Sequence, residues 1–255
     1  MSAINVLLLG GTLEARRLAT ALQRQPDIAV ILSLAGRTRS PLDAGVPTRR
    51  GGFGGATGLA DYLVSQRIGA LIVATHPFAA RIAHNAAAAA AQAGVAIMQL
   101  LRPEWPRHPR DRWIECDRPE QAPPLLGEAP RRVLLSFGRE QAALFETAPW
   151  HHYLIRSIDP IAPPLDLPHV DNLIARGPFS LENERRLLRE RRIEMLVTKH
   201  SGGAATAPKL QAARELGVAV IMIRRPPLPA LPAIDSSREN CHYKVLAWLR
   251  RSESL

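Results

Sequence analysis

Asn5-Val-Leu-Leu-Leu-Gly10-Gly-Thr-Leu-Glu-Ala-Arg16 is the stretch that decides how this chain is read. Residues 6–9 form an apolar run with no polar break, the pattern of a strand buried on both faces of a parallel sheet. Gly10, Gly11 and Thr12 end the run, and Leu18 and Leu22 then recur four apart, as on a helix. Strand, glycine turn and helix make a phosphate cradle: glycine lets backbone approach an anion, and the first N–H groups of the helix point at it. The Thr12 hydroxyl suits a helix cap or a phosphate oxygen. The spacing is not the full G-x-G-x-x-G fingerprint, so a turn without a ligand stays open as an alternative.

Outward from that turn, Ile28–Leu34 is a second apolar run, followed by Ala35-Gly-Arg37-Thr38-Arg39. In a Rossmann-like unit this position lies beside the adenosine ribose, where an acid selects NAD and an arginine accepts a 2′-phosphate. No acid appears before Asp43, which favours NADPH over a merely solvated basic loop. Arg49-Arg-Gly-Gly52-Phe53-Gly54-Gly-Ala-Thr-Gly58 is too rich in glycine for turn geometry alone, and Phe53 within it could stack on a ring. A helix over 59–67 and a strand over 70–74 lead to Thr75-His76-Pro77-Phe78 at a strand's carboxyl edge, with Pro77 in the first turn of the next helix. His76 there is a candidate proton donor or phosphate contact, against the plainer reading of a capping histidine.

The pattern then repeats. Residues 132–142 echo the opening strand, glycine and helix, and Gly94-Val-Ala-Ile-Met-Gln-Leu-Leu-Arg-Pro103 pairs with Gly217-Val-Ala-Val-Ile-Met-Ile-Arg-Arg-Pro226. Two similar α/β halves are predicted, 1–129 and 130–255: Rossmann-like or flavodoxin-like α/β/α domains with parallel sheets and an interdomain cleft. In the second half, Ser180 with Asn183 and Glu184 reads as a capped helix start. A strand over 194–198 ends in Thr198-Lys199-His200-Ser201-Gly202-Gly203, which offers hydroxyls, N–H groups and a flexible cation to an anion.

Composition bounds the rest. The 255 residues carry a net charge of +10, and all but three of the 33 basic residues are arginine. That balance suits a polyanionic small substrate gripped bidentately, or simply arginine on solvated faces. No basic helix interleaved with aromatics marks a nucleic-acid module. No apolar run reaches membrane-span length and no secretory leader opens the chain, so a cytoplasmic protein without membrane contact is expected. Cys116 and Cys241 match no metal spacing, and no metal site is expected.

The segments LLLGGTLEAR, SLAGRT, GGFGG, ATHPFAARI, RGPFS and TKHSGG, with Pro208, Lys209 and AARELGVAVIMIRRP, together resemble the precorrin-6A reductase family of cobalamin biosynthesis. They run in order along nearly the whole chain. The resemblance implies two α/β/α domains and NADPH-dependent reduction of one double bond of the precorrin-6A macrocycle, giving precorrin-6B. Three positions depart from the family's pattern: Val73 stands where an Asp is usual, His200 where Asn or Asp is usual, and Ala204 and Ala205 where a glycine follows Ser-Gly-Gly. In this reading Gly10, Gly11, Thr12 and Glu14 cradle the pyrophosphate. Ala35, Arg37 and Thr38 lie at the 2′-phosphate. Gly52, Phe53, Gly54, Thr75, Pro77 and Phe78 flank the nicotinamide. Thr198, Lys199, Ser201, Gly202, Gly203 and Arg176 take the polycarboxylate tetrapyrrole, and His76 and Lys199 are the candidate proton sources. A short-chain dehydrogenase is disfavoured, because Tyr62, Tyr153 and Tyr243 each lack a lysine four residues on. A non-redox tetrapyrrole enzyme of the cyclising synthase type remains the main rival, and a basic nucleic-acid-binding module the weaker one.

Overall fold

Parallel strands flank the opening run on both sides, as its unbroken hydrophobicity requires. A computed structural model describes residues 3–36 and 43–252. Strand β1 (Ile4–Leu9) feeds helix α1 (Leu13–Gln23), then β2 (Ile28–Leu34) and β3 (Thr48–Arg50). Next come α2 (Ala56–Ser65), β4 (Ala70–Val73), α3 (Ala80–Ala93) and β5 (Ala96–Leu101). Pro77 precedes the first turn of α3 rather than sitting in it, since that helix begins at Ala80. Gly94 closes α3 at φ 65°, a left-handed conformation that favours glycine.

The chain then crosses over. Strand β6 (Trp113–Cys116) joins a second sheet built from β7 (Arg132–Leu135), β8 (His152–Ser157), β9 (Val170–Ile174), β10 (Met195–Lys199) and β11 (Ala219–Ile223). Helices α4 (Arg139–Ala142), α5 (Leu181–Glu190) and α6 (Pro208–Leu216) lie between those strands in sequence. Strand β12 (Ala233–Asp235) returns to the first sheet, and α7 (Cys241–Ser252) follows it.

The sheet orders are β12-β5-β4-β1-β2-β3 and β6-β11-β10-β7-β8-β9, with every pairing parallel. Within each, the order 3-2-1-4-5 is the Rossmann one, not the flavodoxin-like alternative. The repeat read in the sequence is thus a repeat of topology, and each sheet takes its last strand from the other half. The predicted division at 129/130 accordingly differs from the structure, where one unit is Met1–Pro103 with Pro227–Leu255 and the other is Glu104–Pro226. The chain passes between them beside Pro103 and Pro226. Neither crossing coincides with the glycine- and proline-bearing stretch at 127–132, which is an ordinary loop inside the second unit.

In the first unit, Leu8 and its face-mates Val6 and Ile4 pack on α1 and α7 through Leu18, Leu22, Val245 and Leu249. The opposite face, Leu7 and Leu9, packs on α2 and α3 through Leu59, Leu63 and the small residues Ala83, Ala86, Ala89 and Ala90. The alanine run therefore serves close packing of a helix on a sheet. In the second unit, Leu134, Leu154, Leu196, Val220 and Met222 form one core with Leu188 of α5, Leu210 and Ala213 of α6, and Trp105 and Trp113.

Gly58 sits in α2 where a Cβ would lie 1.9 Å from the Phe53 carbonyl oxygen, a backbone atom with no freedom to yield. Gly58→Ala should cost about 1–3 kcal/mol, and thermal melting of the variant beside the parent checks it.

Candidate functional site

In the first unit the pairing of β1 with both β2 and β4 brings four expected segments to one carboxyl edge. These are residues 10–14 after β1, Ala35 after β2, residues 51–55 after β3 and residues 75–78 after β4. This edge includes the switch point, where chain order reverses and α/β sheets bind ligands.

Gly10 is required for packing: a Cβ there would lie 2.5 Å from Leu32 Cδ1 and 3.4 Å from the Ala15 methyl. Gly11 has φ 117° with open space where a side chain would stand. The Thr12 hydroxyl is fully used, donating to the Ala74 carbonyl (2.9 Å) and accepting from the Ala15 N–H (3.1 Å). Thr12 thus caps α1 and ties the glycine turn to the end of β4. Glu14, an acid in the first turn, would repel a phosphate if left alone. Arg102, just after β5, pairs with it at 2.5 Å and neutralises it.

The glycine-rich loop is held by a residue that sequence reasoning missed. Arg49 donates from Nη1 to Ser33 Oγ (3.0 Å) and the Gly51 carbonyl (3.1 Å), and from Nη2 to the Gly52 carbonyl (3.0 Å). Its guanidinium carbon lies 3.7 Å from the Phe53 ring centroid, and Tyr62 meets that ring edge-on at 5.2 Å. One face of Phe53, the ring expected to stack on a cofactor, is therefore covered by Arg49. Gly52 and Gly54 remain exposed.

His76 Nδ1 accepts from the Phe78 N–H at 3.2 Å, so the neutral ring carries its proton on Nε2. The His76 ring is half-buried and lies 5.8 Å from Phe78, and Pro77 is buried. Arg37 and Thr38 lie outside the described residues.

In the second unit, Lys199 Nζ donates to Gln141 Oε1 at 3.1 Å, and Gln141 lies in α4, the counterpart of α1. Thr198 is 1% exposed and its hydroxyl donates to the Lys199 carbonyl, so its side chain is part of the wall and not of the surface. Ser201 and Gly203 are half-buried, Gly202 is buried and Arg176 is exposed after β9. His200 turns away from the Lys199 side chain, as strand alternation dictates. Its ring stands 5.7 Å from Trp105 and 5.6 Å from Trp113, and burial lowers its pKa.

Beneath this loop lies a buried polar group that no sequence pattern announced. Arg156 pairs with Glu184 at 2.5 Å, both almost wholly buried, and Phe179 covers the guanidinium at 4.2 Å. Lys209 is 4% exposed, with its ammonium 5.2 Å from the Trp105 ring centroid. Burial first and the Arg156 guanidinium second push its pKa down to about 7, against the opposing pull of Glu184.

Glycine turns at the carboxyl edge of parallel sheets in the 3-2-1-4-5 order define a two-unit α/β enzyme of the Rossmann kind. Residues 5–250 match the precorrin-6x reductase CbiJ/CobK family. The precorrin-6A reductase of a Sinorhizobium species is 48% identical over 98% of this chain and 95% of its own. That of Rhodobacter capsulatus is 46% identical over 88% and 89%. The solved structure of CobK precorrin-6A reductase superposes with a TM-score of 0.90 at 43% identity, covering 98% of this chain and 97% of that one. The chain belongs to the precorrin-6x reductase CbiJ/CobK family, reductases of cobalamin biosynthesis that act on a carbon–carbon double bond. No helix among the described residues is long and apolar enough to cross a membrane.

Lys209 yields a pH prediction. Its folded pKa, about 7, lies below the ordinary 10.5, so between those values the unfolded chain holds the extra proton. Stability then rises with pH across that window, by at most about 1.4 kcal/mol per unit, and the full penalty is present below it. Lys209→Met should flatten the rise and be the more stable protein at pH 7; urea unfolding at pH 7 and 9.5 checks both.

Proposed function

We propose that this protein reduces one double bond of the metal-free precorrin-6A macrocycle, giving precorrin-6B, with NADPH as hydride donor. The reading of the substrate rests on family membership and on the names of relatives that are 43–48% identical. The observation that carries the cofactor is the glycine turn at the switch point. Among the described residues no protein group accepts from the N–H groups of Gly11, Leu13 and Glu14, and the space above Gly11 is open. A pyrophosphate fits such a turn.

Bound NADPH supplies the hydride; the chain's own residues bind, orient and provide the proton. Gly11, Thr12 and Glu14 hold the pyrophosphate through backbone N–H groups; Gly10, whose own N–H stays on the Ser33 carbonyl, lets the turn close beneath it, and Arg102 suppresses the charge of Glu14. Ala35, Arg37 and Thr38 take the 2′-phosphate. Gly52 to Gly54, fixed by Arg49, and Thr75 to Phe78 border the nicotinamide. In the second unit Lys199, Ser201, Gly202, Gly203 and Arg176 receive the acetate and propionate arms, with Thr198 as their support. His76, through Nε2–H, and Lys199 are the groups able to deliver a proton to the reduced carbon.

Titration with NADPH and NADH, followed by nicotinamide fluorescence, tests the cofactor. NADPH should bind at least tenfold more tightly, and Arg37→Ala should erase most of that preference. Failure of both nucleotides to bind would overturn the cofactor assignment. Turnover of metal-free against cobalt-loaded precorrin-6A tests the substrate, with the metal-free form expected to be reduced faster.

A further inference from the structure

The loop after β10 is fastened by its carbonyls. The His200 carbonyl accepts from Arg225 Nε at 2.8 Å. The Gly203 carbonyl accepts from the Trp105 indole N–H at 2.9 Å, and the Ala205 carbonyl accepts from the Phe179 N–H at 3.1 Å. Gly202 and Gly203 stand at φ 66° and 85°, left-handed values open to glycine at little cost. Among the described residues no protein acceptor meets the N–H groups of Gly202, Gly203 or Ala204. With its acceptors engaged, the loop has donors left to offer, and successive backbone N–H groups of this kind suit a carboxylate.

Two of the three fasteners come from one part of the chain's course. Trp105 is the second residue after the chain enters this unit, and Arg225 the second before it leaves. The two passages are tied to each other as well, Arg225 Nε lying 3.6 Å from Glu104 Oε1. Trp105 is 8% exposed, so its hydrogen bond is sheltered from water. Its ring covers Lys209 and leans on His200, which fixes the indole plane and hence the direction of its N–H.

We propose that Trp105 and Arg225 are positioning residues for the reduction: by holding the Gly203 and His200 carbonyls they set the loop in the conformation that receives a substrate carboxylate. Neither touches the reacting atoms. The inference rests on the reading of Ser201, Gly202 and Gly203 as substrate-binding and adds to it the parts that shape them.

The test compares Trp105→Phe, which keeps an aromatic ring and loses the N–H, with Arg225→Lys, which keeps the charge facing Glu104 and loses the planar Nε–H. Steady-state kinetics with precorrin-6A should show KM raised about three- to tenfold in each, the worth of one hydrogen bond. The kcat and the dissociation constant for NADPH should stay within twofold of the parent. An unchanged KM, or a loss of cofactor affinity parallel to the rise in KM, overturns the proposal. If Trp105→Phe fails to fold, Arg225→Lys alone decides by the same criteria. Gly203→Val separates the two levels of the argument. If it raises KM while Trp105→Phe and Arg225→Lys do not, the positioning role falls and the substrate loop stands; if none of the three moves KM, the loop itself has been misassigned.

Discussion

Leu7 and Leu8 are neighbours in sequence, point to opposite faces of one strand and are both wholly buried. That is the constraint on which the first unit depends. A strand hidden on both sides must lie inside a sheet, the sheet must carry helices on each face, and parallel pairing must be closed by crossovers. Helices α1 and α7 on one side and α2 and α3 on the other satisfy it. Polar backbone is then left over at the sheet's carboxyl edge, where strands stop and helices begin. Chemistry gathers there because the interior has no place for it.

The two units meet that constraint with the same strand order but different edges. In the first, α1 runs eleven residues from a glycine turn and presents an open N-terminus. In the second, its counterpart α4 is four residues long and continues as a 3-10 turn. Gln141 on that short helix is spent on Lys199. The unit with the longer helix keeps an open glycine turn, while in the other the unengaged backbone N–H groups lie in the loop after β10. Duplicated topology thus carries two different carboxyl edges.

Much of this was legible in the sequence. The buried strands announce themselves as apolar runs, and Gly94 and Gly217, which open the two paired segments, end their helices in the left-handed conformation. Strands β3 and β12 escaped because each is three residues long at a sheet edge, with no apolar run to mark it. The division of the chain was misplaced for the same reason: only pairing shows that β6 and β12 belong to the opposite sheets. Of the candidate residues, Gly11, Gly54, Gly202 and Gly203 take positive φ in loops that follow strands. Side-chain roles were less readable. The Thr12 hydroxyl is engaged by Ala74, far away in sequence, whereas the Phe53 face is covered by nearby Arg49 and the Thr198 hydroxyl is turned onto the next carbonyl; the arginines and Trp105 that hold the loops have no local signature.

The exchange of edge strands has a consequence for biosynthesis. As the chain leaves the ribosome from its amino end, β1 through β5 emerge before the second unit, yet Val245, Leu246 and Leu249, which complete their core, are made only after the whole of that unit. The later unit is thus an insertion in the earlier one and has its entire sequence available before its host does. The first sheet waits, with one face short of a helix, until the second has been synthesised. For this fold, the order in which the segments are read is not the order in which the two bodies can be finished.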